Sequence, residues 1–368
     1  DNETPAENPP FYTRRFFLIL VLLGLVGGAA ALWIPSNTDW LRQSGLSGEA
    51  EQKSISDLRL HFLYITGGII AILTLLQTNC KNQVDRRKVE DDIQKNKNDH
   101  VRQVHAERRS RYAKAVEQLA NEEAAVRLGG IYTLVGLVDE WLAEETLPHK
   151  KRLKEGQIIV NNLCAYIRSP LQADIYMNLK LDNQSEPNNN VSPEEKIKIQ
   201  EERDIRQSLL EEIKSRLTTI PEDTTYHTAI LPNESWSNFK YDFSNSIFFY
   251  PIHFKNTLFE NSINFSKSTF YDVAYFDNLH FKEEINFYKT IFKSVMQIDS
   301  SYFYKTARFS ESKFYGQTDF YRSVFAHDFV ANESKFYSSC TVADSIFAGN
   351  CTAASSYFNG PTNLYKNI

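Results

Sequence analysis

The sequence predicts an α+β chain: two apolar helices of membrane-spanning length, a polar helical middle, and a C-terminal stack of very short strands. Three observations carry this. From Phe243 to Phe358 an apolar residue recurs at alternating gaps of five and six. Phe16–Ile34 runs nineteen residues without a charge, and a second apolar run covers Leu60–Leu76. Between Cys80 and Glu123 the chain is rich in Lys, Arg, Glu, Asp and Gln and contains neither proline nor glycine.

The C-terminal repeat is the strongest signal. Its marks are Phe243, Phe248, Phe254, Phe259, Phe265, Phe270, Phe276, Phe281, Phe287, Phe292, Ile298, Phe303, Phe309, Phe314, Phe320, Phe325, Ala331, Phe336, Val342, Phe347, Ala353 and Phe358. Two residues before the marks of one half-repeat stands a small hydroxylated residue (Ser246, Thr257, Ser268, Thr290 and onward), with Leu279 the exception. In the other half-repeat that place holds Ile252, Ile263, Ala274, Ile285, Met296 and their successors. Alternation over three residues puts the mark and its minus-two neighbour on one side and the residue between them on the other, as in a strand. No helical stripe fits, and a sandwich requires longer strands. Units this short cannot bury an apolar face alone, so they stack, and the phenylalanines form an internal ladder.

The pattern resembles the pentapeptide-repeat family in a Phe-centred form with eleven-residue double units, as in Asn264-Phe265-Ser266-Lys267-Ser268-Thr269-Phe270 and Arg308-Phe309-Ser310-Glu311-Ser312-Lys313-Phe314. The resemblance implies a right-handed quadrilateral β-helix with twenty-two residues per coil. On that basis the marked stretch makes about five coils, each buried phenylalanine contributing about 2 kcal/mol. Asn359–Ile368 is expected to cover the last coil, with Tyr357, Leu364 and Tyr365 as the residues of an end-to-end contact. Trp236 and Phe239 are expected to cover the first coil. Tyr271, Tyr288, Tyr304, Tyr315, Tyr321 and Tyr337 follow marks and are expected at outward corners.

The two apolar runs are long enough to cross a bilayer as a hairpin. Lys81, Arg86, Arg87, Lys88, Lys95 and Lys97 follow the second, whereas the polar stretch Ser36–Asp57 offers only Arg42 and Lys53. The basic bias is expected to place both termini in the cytoplasm, and the family resemblance implies a bacterial inner membrane. A rival reading makes Thr13-Arg14-Arg15-Phe16-Phe17-Leu18 an export signal cleaved after Ala29-Ala30-Ala31. The second span and its basic flank favour the hairpin. Gly24 and Gly28 form a GxxxG contact surface, toward Gly67 and Gly68 of the second span or toward another copy.

The second span is expected to continue as one helix into the Cys80–Glu123 stretch, as a solvated stalk or a weak coiled coil. Ala113 to Leu142 then shows three- and four-residue apolar spacing, the mark of packed amphipathic helices. Leu153–Ile167 reads as a further helix with Ile158, Ile159, Leu163 and Tyr166 on one side. Asp182–Asn190 is a polar loop. Ser192-Pro193-Glu194-Glu195 is a helix start with an N-cap serine. Within Arg111–Arg168, Tyr112-Ala113-Lys114-Ala115-Val116-Glu117-Gln118-Leu119 and Val126-Arg127-Leu128-Gly129-Gly130-Ile131-Tyr132 resemble the helical region preceding the repeats in membrane-anchored members of the same family.

The chain therefore divides into residues 1–79 (membrane hairpin), 80–217 (helical segment), 218–240 (connector) and 241–368 (solenoid). Chemistry is sparse. The net charge of −5 over 368 residues marks no general polyanion binder. Cys80, Cys164, Cys340 and Cys351 show no metal or disulfide spacing and read as buried thiols. The eight histidines are scattered, and no catalytic constellation, cofactor site or metal site is expected. Eleven Lys/Arg against twelve Asp/Glu in 241–368 argue against a gyrase-type DNA mimic unless one face segregates the acids. The expected function is a non-enzymatic, membrane-anchored scaffold presenting the solenoid to a protein partner. The alternative is an effector of phage defence or stress response that oligomerises and perturbs the membrane. The bilayer is the first expected partner, a second copy another; nucleic acid is not expected.

Overall fold

The computed structural model describes residues 15–37, 48–170, 192–221 and 235–365. Arg14, Arg42, the Asp182–Asn190 loop and much of the two connecting stretches lie outside these residues. The chain forms two compact units, Asp1–Val104 and His105–Ile368.

Helix α1 spans Phe16–Ser36, and α2 is a single helix over Gly48–Leu119. Its continuity follows from composition, because no glycine or proline interrupts the chain from Cys80 to Leu119. The connection between the apolar runs is shorter than the polar composition of Ser36–Asp57 implied. Gly48–Asp57 already belongs to α2, with Glu49 and Glu51 favouring its positive N-terminal end. Both helices are long and apolar enough to cross a membrane, and their apolar windows are almost wholly unburied. Leu25 and Leu75 are each 70% exposed, so neither segment is the core helix of a soluble fold. The close approach between the two uses Gly27, where a Cβ would lie 2.3 Å from Thr66 Cγ2. Gly24, Gly28, Gly67 and Gly68 have open space instead. The intramolecular contact is thus made one residue away from the GxxxG pair.

The second unit contains the end of α2, then α3 (Ala124–Leu142), α4 (His149–Arg168) and α5 (Pro193–Arg216). The α5 start is a complete capping box: Ser192 Oγ accepts from Glu195 N, and Glu195 Oε2 accepts from Ser192 N at 2.8 Å. Gly130 lets α3 meet α2, since a Cβ there would lie 2.9 Å from the Ala115 carbonyl oxygen. On α4 the buried side is Ile159, Val160, Leu163, Cys164 and Ile167, whereas Ile158 is 43% exposed and points away from it. Adjacent residues on a helix lie about 100° apart, so Ile158 and Ile159 cannot share one narrow stripe.

The C-terminal part is a parallel β-solenoid of about six turns. Its strands form three sheets. A six-stranded sheet runs from Tyr241–Asp242 to Cys351–Thr352, and another from Ile247–Phe248 to Tyr357–Phe358. The third has ten strands, including the eight-residue strands Ile252–Phe259 and Ala274–Phe281. Partners in the parallel ladders are twenty-two residues apart, as in Ile298↔Phe320 and Phe314↔Phe336. The marks therefore stack in four columns. Thr362–Tyr365 pairs in the same register with Cys340–Ala343, which sets Leu364 over Val342. This segment adds a strand to the solenoid and continues the ruler one mark further without folding across the end; the solenoid has about six turns where five were expected.

Candidate functional surface on the solenoid

Inside the solenoid the phenylalanines stack nearly face on face. Phe259, Phe281, Phe303, Phe325 and Phe347 succeed one another at centroid separations of 5.4, 5.1, 4.6 and 4.8 Å. Phe270, Phe292, Phe314, Phe336 and Phe358 do so at 4.8, 5.1, 4.5 and 4.6 Å. Phe265, Phe287 and Phe309 form a third stack, and Phe254 and Phe276 begin the fourth, which continues through Ile298 to Phe320. Where the third column shrinks to Ala331, Phe329 reaches inward from the minus-two place and touches Phe309, Phe320, Phe325 and Phe347. All these rings are buried except the last two: Phe347 is half-buried and Phe358 is 41% exposed. The ladder residues are core, and Phe254 also borders a cleft at the first coil.

The hydroxylated column has its own physical reason. Every eleventh residue from Asn245 to Ser355 has a positive φ, between 46° and 60°, and none of these residues is glycine. From Ser268 onward, the buried hydroxyl that follows fastens the corner to its neighbours. Ser312 Oγ donates to the Phe287 carbonyl at 2.6 Å and accepts from Thr290 N at 3.3 Å. Ser268, Thr290, Ser301, Ser334 and Ser345 donate likewise to the carbonyl twenty-five residues earlier. Leu279, the one apolar member, has no oxygen to offer.

The first coil is closed by the helical segment as well as by Trp236 and Phe239, which are both buried. Asp139 Oδ1 accepts from Trp236 Nε1 at 2.8 Å while its Oδ2 accepts from Arg216 Nε at 2.8 Å. Gln157 exchanges two hydrogen bonds with the Lys240 backbone, and Arg168 pairs with Asp242. Phe239 packs on Gly156, where a Cβ would come within 2.6 Å of its ring. Behind this joint, Arg206 is 1% exposed and donates to Glu202 Oε1 at 2.7 Å and to the Ile167 and Ser169 carbonyls at the end of α4. A cleft of about 490 Å³ beside it is lined by Tyr132, Asp204, Ser208, Lys214, Tyr250 and His253. Burial holds the Tyr250 phenol well above the ordinary tyrosine range. Of the cysteines only Cys164 and Cys340 are buried, with thiols pushed up to about 12 by desolvation; Cys80 and Cys351 are exposed.

What remains for recognition is the outer surface, and its charge is unevenly distributed. On the ten-stranded sheet Asp277 and Asp299 are Cα partners, and Asp299 is paired with Arg322. Asp319 is 3% exposed, and burial raises its pKa against the opposing hydrogen bonds of Gln317 and Thr341. Nearby, burial and then Lys282 depress His280 to about 4. On the six-stranded sheet ending at Tyr357–Phe358, the outward places between and after the marks hold Thr269, Ile291, Lys313, Lys335 and Tyr357, then Tyr271, Lys293, Tyr315 and Tyr337. None of these is acidic. Lys313 and Lys335 are Cα partners, and among the described residues neither has an ion-pair partner. The tyrosines after the marks stand outward as the repeat implied, but the lysine column beside them carries the charge.

A membrane-length helical hairpin and a parallel β-solenoid of about six turns with a regular Phe ladder define the class, and the solenoid is consistent with a pentapeptide-repeat fold. No family model, no curated protein and no solved structure matches the chain.

Proposed function

We propose that the protein is a membrane-anchored, non-enzymatic scaffold that presents the outer surface of its solenoid to a protein partner. The observation that carries this reading is the division of labour within the solenoid. Rings and corner hydroxyls are used up in internal contacts, whereas lysines and tyrosines stand outward in register. The anchor is a two-span hairpin in a bacterial inner membrane with both termini cytoplasmic, supported by the unburied apolar windows and by the basic residues after the second. The solenoid itself is taken as the right-handed, four-sided form that its twenty-two-residue register suits.

Photo-crosslinking amino acids placed at Thr269, Lys313, Tyr315 and Arg322 in the full chain, in native membranes, test the reading. Covalent adducts with a second protein are expected from at least one column; adducts from none of the four refute it.

A second reading rests on a separate observation. A Cβ at Gly24 or Gly28 would meet no other part of the described chain within 4 Å, which leaves that side of α1 open to another helix. An effector of phage defence or stress response would use it to oligomerise and perturb the membrane. Dye entry into cells overexpressing the wild-type chain but not Gly28→Leu supports the effector; intact membranes with both chains count against it. DNA mimicry of the gyrase type gains little from the outer acids, since Arg322 neutralises Asp299 and Asp319 is buried.

A further inference from the structure

We infer that the Lys313–Lys335 column, flanked by Lys293 and the Tyr315–Tyr337 pair, is a docking surface for an acidic peptide segment of a partner protein. This inference rests on the scaffold reading above and names where and what the solenoid binds. Three features of the column support it. Lys313 and Lys335 occupy directly opposed places on neighbouring parallel strands, roughly 4.8 Å apart, where like charges oppose each other. Among the strand residues of this sheet that lie between inward places none is an acid, and of the acids at the adjoining corners Glu311 is taken by Lys289 while Glu333, among the described residues, makes no ion pair with Lys335. The column also has donors in abundance, since each ammonium offers three and each tyrosine a hydroxyl.

The third feature selects the kind of anion. Lys293 Nζ lies 4.3 Å from the centroid of the Tyr315 ring, and Tyr337 stacks on Tyr315 at 4.6 Å and 14°. The faces of Tyr315 are thus already engaged by the protein, and only ring edges and hydroxyls are offered outward. Single-stranded nucleic acid is held by aromatic faces free to stack on bases, which this column lacks. Three cations are also fewer than the four to eight that mark a lipid-headgroup patch. A short run of carboxylates meets the ammoniums and hydroxyls without requiring either.

The test uses the full chain in detergent micelles and a fluorescein-labelled decaglutamate peptide, read by anisotropy at low and high salt. The double variant Lys313→Gln/Lys335→Gln is compared with Lys267→Gln/Lys305→Gln, which removes the same charge from other columns. We expect salt-sensitive binding that weakens by about tenfold in the first pair and stays at wild-type strength in the second. Tyr315→Leu keeps the lysines, removes a hydroxyl, and is expected to weaken binding further at constant net charge. Equal losses in both lysine pairs overturn the inference, as does the absence of binding. So does tighter, Lys313/Lys335-dependent binding of a ten-residue oligothymidylate or of vesicles with anionic headgroups. If these lysines prove inert while photo-crosslinks arise from another column, the scaffold reading stands and only this site falls.

Discussion

Truncating one ring at two heights of the solenoid separates a buried ladder from a merely periodic one. Phe303 is 0% exposed and lies between Phe281 at 5.1 Å and Phe325 at 4.6 Å. Phe303→Ala removes a fully buried ring from a site whose walls are other rings fixed by the backbone register, so little collapse is available. The expected loss is about 3–5 kcal/mol. Phe358 stacks on Phe336 at 4.6 Å but, among the described residues, has no ring stacked on its other side, and it is 41% exposed. With somewhat over half of a phenylalanine's transfer free energy at stake, Phe358→Ala is expected to cost about 1–2 kcal/mol. Urea unfolding of the full chain in detergent, followed by near-ultraviolet circular dichroism, measures both. Equal losses, or a larger loss at Phe358, refute the assignment of a closed interior at Phe303.

Other perturbations probe the corners, the joint and the pH response. Ser312→Ala removes one donor to the Phe287 carbonyl and one acceptor for Thr290 N, which keep their bond to each other at 3.1 Å; about 1 kcal/mol is expected in the same unfolding experiment, against nearly none for Lys305→Glu at an exposed place. Arg206→Ala leaves Glu202 Oε1 and the carbonyls ending α4 without their donor, while Arg127 and the Tyr166 hydroxyl still donate to Glu202 Oε2, and is expected to cost about 2–4 kcal/mol, read as a lowered urea midpoint. His280 has a folded pKa of about 4 against an ordinary value near 6.5, so the unfolded chain binds the extra proton. Stability is therefore lost as pH falls from about 6.5 toward 4, by about 2 kcal/mol at pH 5. A His280→Gln variant that keeps the full pH dependence shows that another group is responsible.

The interior was legible in the sequence because a buried position repeats its residue type. Inward marks and the outward residue between them follow from gaps of five and six, while the twenty-two-residue register was implied by the resemblance to pentapeptide repeats. Leu364 escaped because it is neither aromatic nor followed by a further mark, although it stands six residues after Phe358 and stacks in register over Val342. The corners escaped for a different reason. A positive φ usually advertises itself through glycine, yet here it falls on Lys267, Glu311 and Arg322, whose strain is borne by the hydrogen-bonded hydroxyl next door. The contact between the spans was misplaced by one residue because GxxxG spacing names a small surface but not the side that meets Thr66. The Lys–Tyr column was hidden by arithmetic. Lys293, Lys313 and Lys335 stand twenty or twenty-two residues apart, and a near-balanced charge count over 241–368 averages them against acids that occupy other columns.

The register of the solenoid is the claim on which the ladder and the lysine column both depend, and disulfide trapping tests it directly. In a full chain with Cys80 and Cys351 replaced by serine, a cysteine pair at Lys313 and Lys335 places the two thiols on facing residues of adjacent parallel strands. Their expected Cα separation of roughly 4.8 Å falls within the range a disulfide spans. Rapid crosslinking under mild oxidation is expected for this pair, and little for Lys313 with Val324, which belong to different sheets. Efficient trapping of the eleven-residue pair, with none of the twenty-two-residue pair, would contradict the fold and everything placed on its surface.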